Sequence, residues 1–223
     1  KVFERFGGRA QVAGIGVALG YIGAIAGILM VKPFASEAGA RASAFIPTAI
    51  FFLLFSLPCF FLVRDEKKQM PGTAWRSLKA ELLQIKDTIG RGKDYPGLIP
   101  FLIANFLYCD AVNTVIAFMS VYAHQVGGFN DAMIQTLLIV STLFAVAGSF
   151  AFGWITERRG AKRTLVLVLY LWIAGLLVGS ASFSPAMFWM IGPLVGIALG
   201  GTWVTARALV LDLSPPEKIG EVY

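Results

Sequence analysis

From Thr164 to Ala206 the chain runs for 43 residues without a single Asp, Glu, Lys or Arg. Three further charge-free runs, Ala10–Val31, Ala42–Val63 and Ala132–Thr156, each exceed the ~20 residues an α-helix needs to cross about 30 Å of hydrocarbon. A fifth stretch, Tyr95–Ala123, is apolar except for one acid, Asp110. The 43-residue run is too long for one crossing at ~1.5 Å per residue. Ser182, Ser184 and Pro185 divide it into two helices, spanning 164–182 and 187–207. The chain is therefore expected to be all-α, a polytopic membrane protein with six transmembrane helices.

A bilayer enforces that choice, because backbone N–H and C=O groups in lipid must be satisfied within the spanning segment. The short segments of alternating polarity that build a membrane β-barrel are not visible. The first span follows Lys1, Arg5 and Arg9, but it is too long for a signal-peptide core and lacks a clear cleavage site. Composition agrees: 57% of residues are hydrophobic and 14% charged, against about 25% charged in a soluble domain. Too little polar surface remains for a soluble globule or a disordered chain. Cys59 and Cys109 lie inside apolar runs and cannot form a disulfide scaffold.

The net charge of +6 would suggest nucleic acid in a soluble protein, but here no nucleic-acid partner is expected. The bases sort by side of the membrane. With the start of the chain in the cytoplasm, the inside segments 1–9, 64–94, 157–163 and 207–223 hold 3, 8, 4 and 2 Lys and Arg, and the outside loops hold only Lys32 and Arg41. Seventeen against two is a clear positive-inside bias. Both ends are expected in the cytoplasm, at a plasma, inner or vacuolar membrane. In the long inside segment, Trp75, Leu78, Leu82, Ile85 and Ile89 recur at helical spacing among charged residues. This predicts an amphipathic helix over 73–90 that lies on the membrane surface. The expected organisation is 1–63 (two helices), a linker 64–96, and 97–223 (four helices).

Asp110 is the one acid expected inside a span. A carboxylate there costs about 2.5–3.5 kcal/mol on insertion scales, so it must face a polar interior, pair, or be protonated. Asn113 and Thr114 share its helical face, while Asn105 and Tyr108 project from another side. Either Asp110 fixes helix packing through a hydrogen bond, or it couples protons or binds solute in a water-accessible cavity. Glycines form two stripes, Gly16, Gly20, Gly23 and Gly27 in the first span and Gly192, Gly196 and Gly200 in the last. Such stripes are expected as close-packing seams. The segment from Gly153 to Arg163 carries Glu157, Arg158, Gly160 and Lys162, with Gly160 expected to make a tight turn. His124 is expected at the outer surface. No spacing suggests a metal site, a cofactor loop or a catalytic triad, so no metal, no cofactor and no enzyme activity are expected.

Gly153-xxx-Glu157-Arg158-x-Gly160 followed by Lys162 and Arg163 resembles the signature of the major facilitator superfamily. That signature recurs between the eighth and ninth of twelve helices. Three further stretches are similar to the vacuolar amino-acid effluxer-like branch, also called the unknown major facilitator family. They are Gly16-Val-Ala-Leu-Gly20-Tyr21-Ile-Gly23, Phe101 to Thr114 around Tyr108-Cys-Asp110, and Thr205-Ala-Arg207 with Pro215 and Gly220. Ala111 stands where the branch has glycine, which disfavours a helix break after Asp110.

The resemblance implies helices five to ten of a partial major facilitator fold, with four helices before Lys1 and two after Tyr223. It implies a secondary transporter moving a small solute by alternating access. Asp110, Asn113, Thr114, Tyr108 and Asn105 would serve substrate or proton. Gly153, Glu157, Arg158, Gly160, Lys162, Arg163 and Arg207 would form a conformational latch. The partners implied are the solute, the lipid bilayer and the missing helices of the same chain. The other reading of these residues is a non-transporting membrane sensor or scaffold.

Overall fold

The computed structural model describes residues 8–31, 33, 45–62, 97–181 and 184–214. They form α1 (Arg9–Val31), α2 (Phe45–Leu62), α3 (Leu98–Gln125), α4 (Asp131–Arg159), α5 (Ala161–Ser180) and α6 (Pro185–Leu213). All six are long and apolar enough to cross a membrane, as expected from the charge-free runs. The linker 64–96 with its amphipathic helix 73–90, together with Pro215 and Gly220, lies outside the described residues.

Two boundaries differ from those expected. The inside segment 157–163 is no loop: α4 continues through Glu157, Arg158 and Arg159, Gly160 alone separates the helices, and α5 begins at Ala161. The last helix extends beyond 207 to Leu213, carrying Arg207 and Asp212 inside it. Charge marks where a span leaves hydrocarbon, and a helix does not have to end there.

The chain divides into two compact units, one containing α1 up to Ile22 together with α3–α6, the other beginning at Gly23 and containing α2. In the second unit α2 is apolar on every side, with Phe52 78% and Phe61 82% exposed. A helix hydrophobic all round belongs in lipid or against other helices.

In the first unit α6 is the most buried helix. It meets α4 along a seam with no room for side chains. A Cβ at Gly196 would stand 2.1 Å from the Ser141 carbonyl oxygen, and one at Gly200 2.2 Å from that of Ala145. From the other side, a Cβ at Gly148 would stand 2.5 Å from the Ile197 oxygen. This is small-xxx-small packing, in which missing side chains bring two backbones together. The expected stripe in α6 is thus a seam. The stripe in α1 is not: nothing among the described residues lies within 4 Å of a Cβ at Gly16, Gly20, Gly23 or Gly27. The tight glycine of α1 is Gly14, whose Cβ would meet the Ser149 oxygen at 2.7 Å.

α5 packs on another side of α6 around Phe152, Val168 and Trp172. There the buried Trp172 indole donates to Thr202 Oγ1 at 2.8 Å, and that hydroxyl donates to the Ala198 carbonyl at 2.8 Å. At the end of the bundle away from Gly160, Phe188 meets Phe129 and Tyr122 at ring-centroid distances of 5.4 and 5.5 Å.

Two predictions follow from these contacts. Gly196→Ala and Gly200→Ala each destabilise the chain by about 1–3 kcal/mol through overpacking, whereas Gly16→Ala and Gly20→Ala do not, as thermal unfolding in detergent would measure. A double-mutant cycle of Trp172→Phe and Thr202→Val gives a coupling of about 0.6–1.7 kcal/mol, the range for hydrogen bonds between membrane helices.

Candidate functional site

Two faces of α3 separate the residues expected to act together. Phe101, Asn105, Tyr108, Val112, Val115 and Met119, three or four apart, form the buried and half-buried face. On it the Tyr108 hydroxyl donates to Asn105 Oδ1, and the Cys109 thiol reaches the same oxygen at 3.7 Å. Asp110, Asn113 and Thr114 lie together on the opposite, exposed face. α3 runs unbroken past Asp110, as Ala111 favours. Thr114 also borders a cavity of about 560 Å³ between α3, α5 and α6. Phe118, Met119, Leu176 and Val195 line it, with Tyr122 at one wall. The Tyr122 hydroxyl is occupied there, donating to the Gly179 carbonyl at 2.9 Å.

The segment 153–163 builds a second constellation. Gly153 is buried, and a Cβ on it would stand 3.2 Å from the Ala10 carbonyl oxygen. With Gly14 it lets α1 cross α4 closely, which brings the first turn of α1 to the end of α4. The Glu157 carboxylate there accepts the Ala10 backbone N–H at 2.7 Å. The first turn of α1 holds no acid of its own. A helix start leaves N–H groups unsatisfied and carries a partial positive charge, and a carboxylate from another helix answers both. Gly8 makes room for it: its φ is +137°, and a Cβ there would lie 2.4 Å from the Glu157 carboxyl carbon.

Glu157 and Arg158 therefore turn to different partners. The Arg158 guanidinium stacks over the Trp154 ring, 3.7 Å from its centroid. Gly160 joins α4 to α5 with φ +84° and ψ 151°, a positive-φ conformation open to glycine because it has no Cβ. Its carbonyl accepts the Thr164 hydroxyl at 2.9 Å. Lys162 and Arg163 are exposed in the first turn of α5. Thr156, Glu157, Gly160 and Asp212 share a cavity of about 250 Å³ with Ala10, and the buried Thr156 hydroxyl has no hydrogen-bond partner among the described residues. Arg207 does not line that cavity. It is exposed on α6, five residues before Asp212.

Sequence reasoning missed Thr156 and Asp212, which line the junction cavity. For Thr156 the available signal was its place three residues past Gly153, which sets both on one face of α4.

The cap has a direct test. Glu157→Ala leaves the Ala10 N–H without its acceptor, and losing a helix N-cap partner weakens the first turn. Hydrogen exchange at the Ala10 amide is expected to speed up about 5–30-fold. Exchange in the middle of α6 is expected to stay unchanged.

The family model described as "Vacuole effluxer Atg22 like" matches residues 4–220. An uncharacterized MFS-type transporter, YxiO of Bacillus subtilis (strain 168), is 27% identical over 225 residues, which cover 95% of this chain and 51% of the relative. Autophagy-related protein 22 of Coccidioides immitis (strain RS) is 24% identical over 230 residues, 90% of this chain and 38% of the relative. A putative niacin/nicotinamide transporter, NiaP of Bacillus subtilis (strain 168), is 25% identical over 108 residues, 48% of this chain and 27% of the relative. No solved structure matches. The chain spans about half or less of the length of these relatives. Six apolar helices and a family match over almost the whole chain agree: the chain belongs to the Atg22-like vacuole effluxer family of major-facilitator-type membrane transporters.

Proposed function

We propose that the whole protein is a secondary active transporter that moves a small solute, amino acids being the first class to try, by proton-coupled alternating access. α1 and α2 would close one six-helix half and α3–α6 open the other, with both ends of this chain in the cytoplasm. One observation carries this reading. The Glu157 carboxylate accepts the Ala10 N–H at 2.7 Å, so an ionic cap joins a helix of one proposed half to the α4–α5 junction of the other. A contact of this kind is strong when assembled and is broken by moving α1 a few ångströms, as a latch between rocking halves requires.

Asp110, Asn113 and Thr114 are the groups proposed to face the solute path. They share the exposed face of α3, where a carboxylate can meet water and an adjacent amide and hydroxyl can bind a polar solute. Asn105 and Tyr108 are proposed to support that face from behind through their mutual hydrogen bond. The cavity beside Thr114 is lined almost wholly by apolar side chains, which suits a packed neighbour better than a polar solute.

Reconstitution of the full-length protein in liposomes tests this. Asp110→Asn is expected to lower pH-gradient-driven amino-acid flux at least tenfold while thermal stability is kept. Unchanged flux would remove Asp110 from the mechanism. Lost stability with no flux in the parent protein would favour a sensor or scaffold that uses Asp110 for helix pairing.

A further inference from the structure

Four bases crowd the junction of α4 and α5. Arg158 and Arg159 close α4, Lys162 and Arg163 open α5, and all four are exposed. Glu157 does not balance them, because its carboxylate is turned to the Ala10 N–H on the side of α1. Arg158 lies over the Trp154 ring. Arg159 and Arg163 remain, and they line one cavity of about 340 Å³ together with Ile155, Thr164 and Leu167. No acid of the described residues lines it, since Glu157 and Asp212 border the separate cavity beside Ala10. The Thr164 hydroxyl proton is already given to the Gly160 carbonyl at 2.9 Å, so the two guanidiniums are the donors of this cavity.

Helical spacing builds it. Ile155 and Arg159 are four residues apart on α4, and Arg163 and Leu167 four apart on α5. Each helix thus sets one charged and one apolar residue on the same face, at levels about 6 Å apart along the axis. Glu157, two residues past Ile155, lies on the far side of α4. The outer face of α5 continues past Leu167 to Tyr170, 67% exposed. Trp154, half exposed near the cationic level, is the kind of side chain that sits at a membrane interface. The cavity therefore changes from cationic to apolar where the charge-free run Ala132–Thr156 ends, the depth at which headgroups give way to acyl chains. α5 adds to the positive field, because its first turn holds no acid and no side chain caps its start.

We infer that Arg159 and Arg163 hold the phosphate of an anionic phospholipid in this cavity, with the upper part of an acyl chain against Ile155 and Leu167. A guanidinium presents paired donors that match two phosphate oxygens, and two of them from adjacent helices can grip one phosphodiester from both sides. The apolar floor decides the source of the phosphate. A free phosphate ion gains nothing from Ile155 and Leu167, whereas a lipid phosphate brings the chain that covers them. Basic clefts between membrane helices hold lipid headgroups in this way. One lipid on both helices ties the end of α4 to the start of α5 across Gly160, on the side away from the Glu157 cap. The lipid site stands whether or not the transport reading does.

The test uses the full-length protein in detergent, unfolded by heat with increasing phosphatidylglycerol or with phosphatidylcholine of the same acyl chains. Sodium phosphate and glycerol 3-phosphate are titrated in parallel. Phosphatidylglycerol is expected to stabilise the protein at concentrations about tenfold lower than phosphatidylcholine, and the soluble phosphates to give no shift in that range. Arg159→Gln and Arg163→Gln are each expected to reduce the preference about fivefold, the effect of one basic side chain at an anionic surface. Lys162→Gln removes a neighbouring charge that does not line the cavity, and is expected to leave the preference intact. A second measurement needs no variant and decides if the glutamine variants do not fold. Photoreactive phosphatidylglycerol in nanodiscs with the parent protein is expected to label the peptide 155–167, and unlabelled phosphatidylglycerol, but not phosphatidylcholine, to compete. Equal action of the two lipids would overturn the lipid site, as would soluble phosphate acting as well as lipid. A loss in Lys162→Gln equal to that in Arg163→Gln would reduce it to the general attraction of a basic surface and overturn it too. Label absent from 155–167 would do the same.

Discussion

The close approach of α4 and α6 is the contact on which the rest of the first unit depends. Lipid offers apolar helices no hydrophobic reason to associate, so association rests on dispersion contact and on hydrogen bonds that lipid cannot make. Gly148, Gly196 and Gly200 remove the side chains that would hold the backbones apart, and any Cβ at the last two would sit on a carbonyl oxygen. The hydroxyls nearby fold back on their own helices: Ser141 donates to Leu137, and Ser149 to Ala145. Beside Gly196 and Gly200 the two hydroxyls of α4 are thereby satisfied within their own helix. α5 adds the Trp172–Thr202 bond on another side of α6. Together the three helices make a firm frame.

Against that frame α1 is held by fewer and different contacts. A glycine crossing at Gly14 and Gly153 sets its position, and a carboxylate on its first turn fixes its end. Backbone packing of the α4–α6 kind has one optimum and resists sliding, whereas a charge on a helix end is made or lost by a small displacement. In the transport reading, the α4–α6 seam is the stiff element and the α1 contact the reversible one. The α1 contact also explains why Glu157 and Arg158, adjacent in sequence, do not pair. Glu157 serves α1, and Arg158 spreads its guanidinium over Trp154 on its own helix.

Much of the fold was legible in the sequence because a bilayer converts composition into architecture. Six charge-poor stretches became six helices, and Gly192, Gly196 and Gly200 named their seam. What spacing could not supply was the identity of the neighbour. Gly16, Gly20, Gly23 and Gly27 look like the better stripe on paper, yet Gly14 is the residue that touches another helix. Charges also misled at two helix ends, since Glu157 to Arg159 and Arg207 to Asp212 continue their helices instead of leaving them. In the candidate site, the shared face of Asp110, Asn113 and Thr114 followed from helical period alone. The cap on Ala10 did not, because it joins residues 147 positions apart.

In the proposed transport cycle α1 moves against a rigid α4–α6 frame. The most direct measurement is spin-label distance spectroscopy on the full-length protein in liposomes, with nitroxides at Gln11 and Arg159 for the moving contact and at Phe144 and Met190 for the seam. Two distance populations are expected for the first pair, changing in proportion when the pH gradient is imposed or dissipated. A single unchanged distance is expected for the second pair. One fixed distance between Gln11 and Arg159 under all conditions, or equal changes in both pairs, would contradict the account.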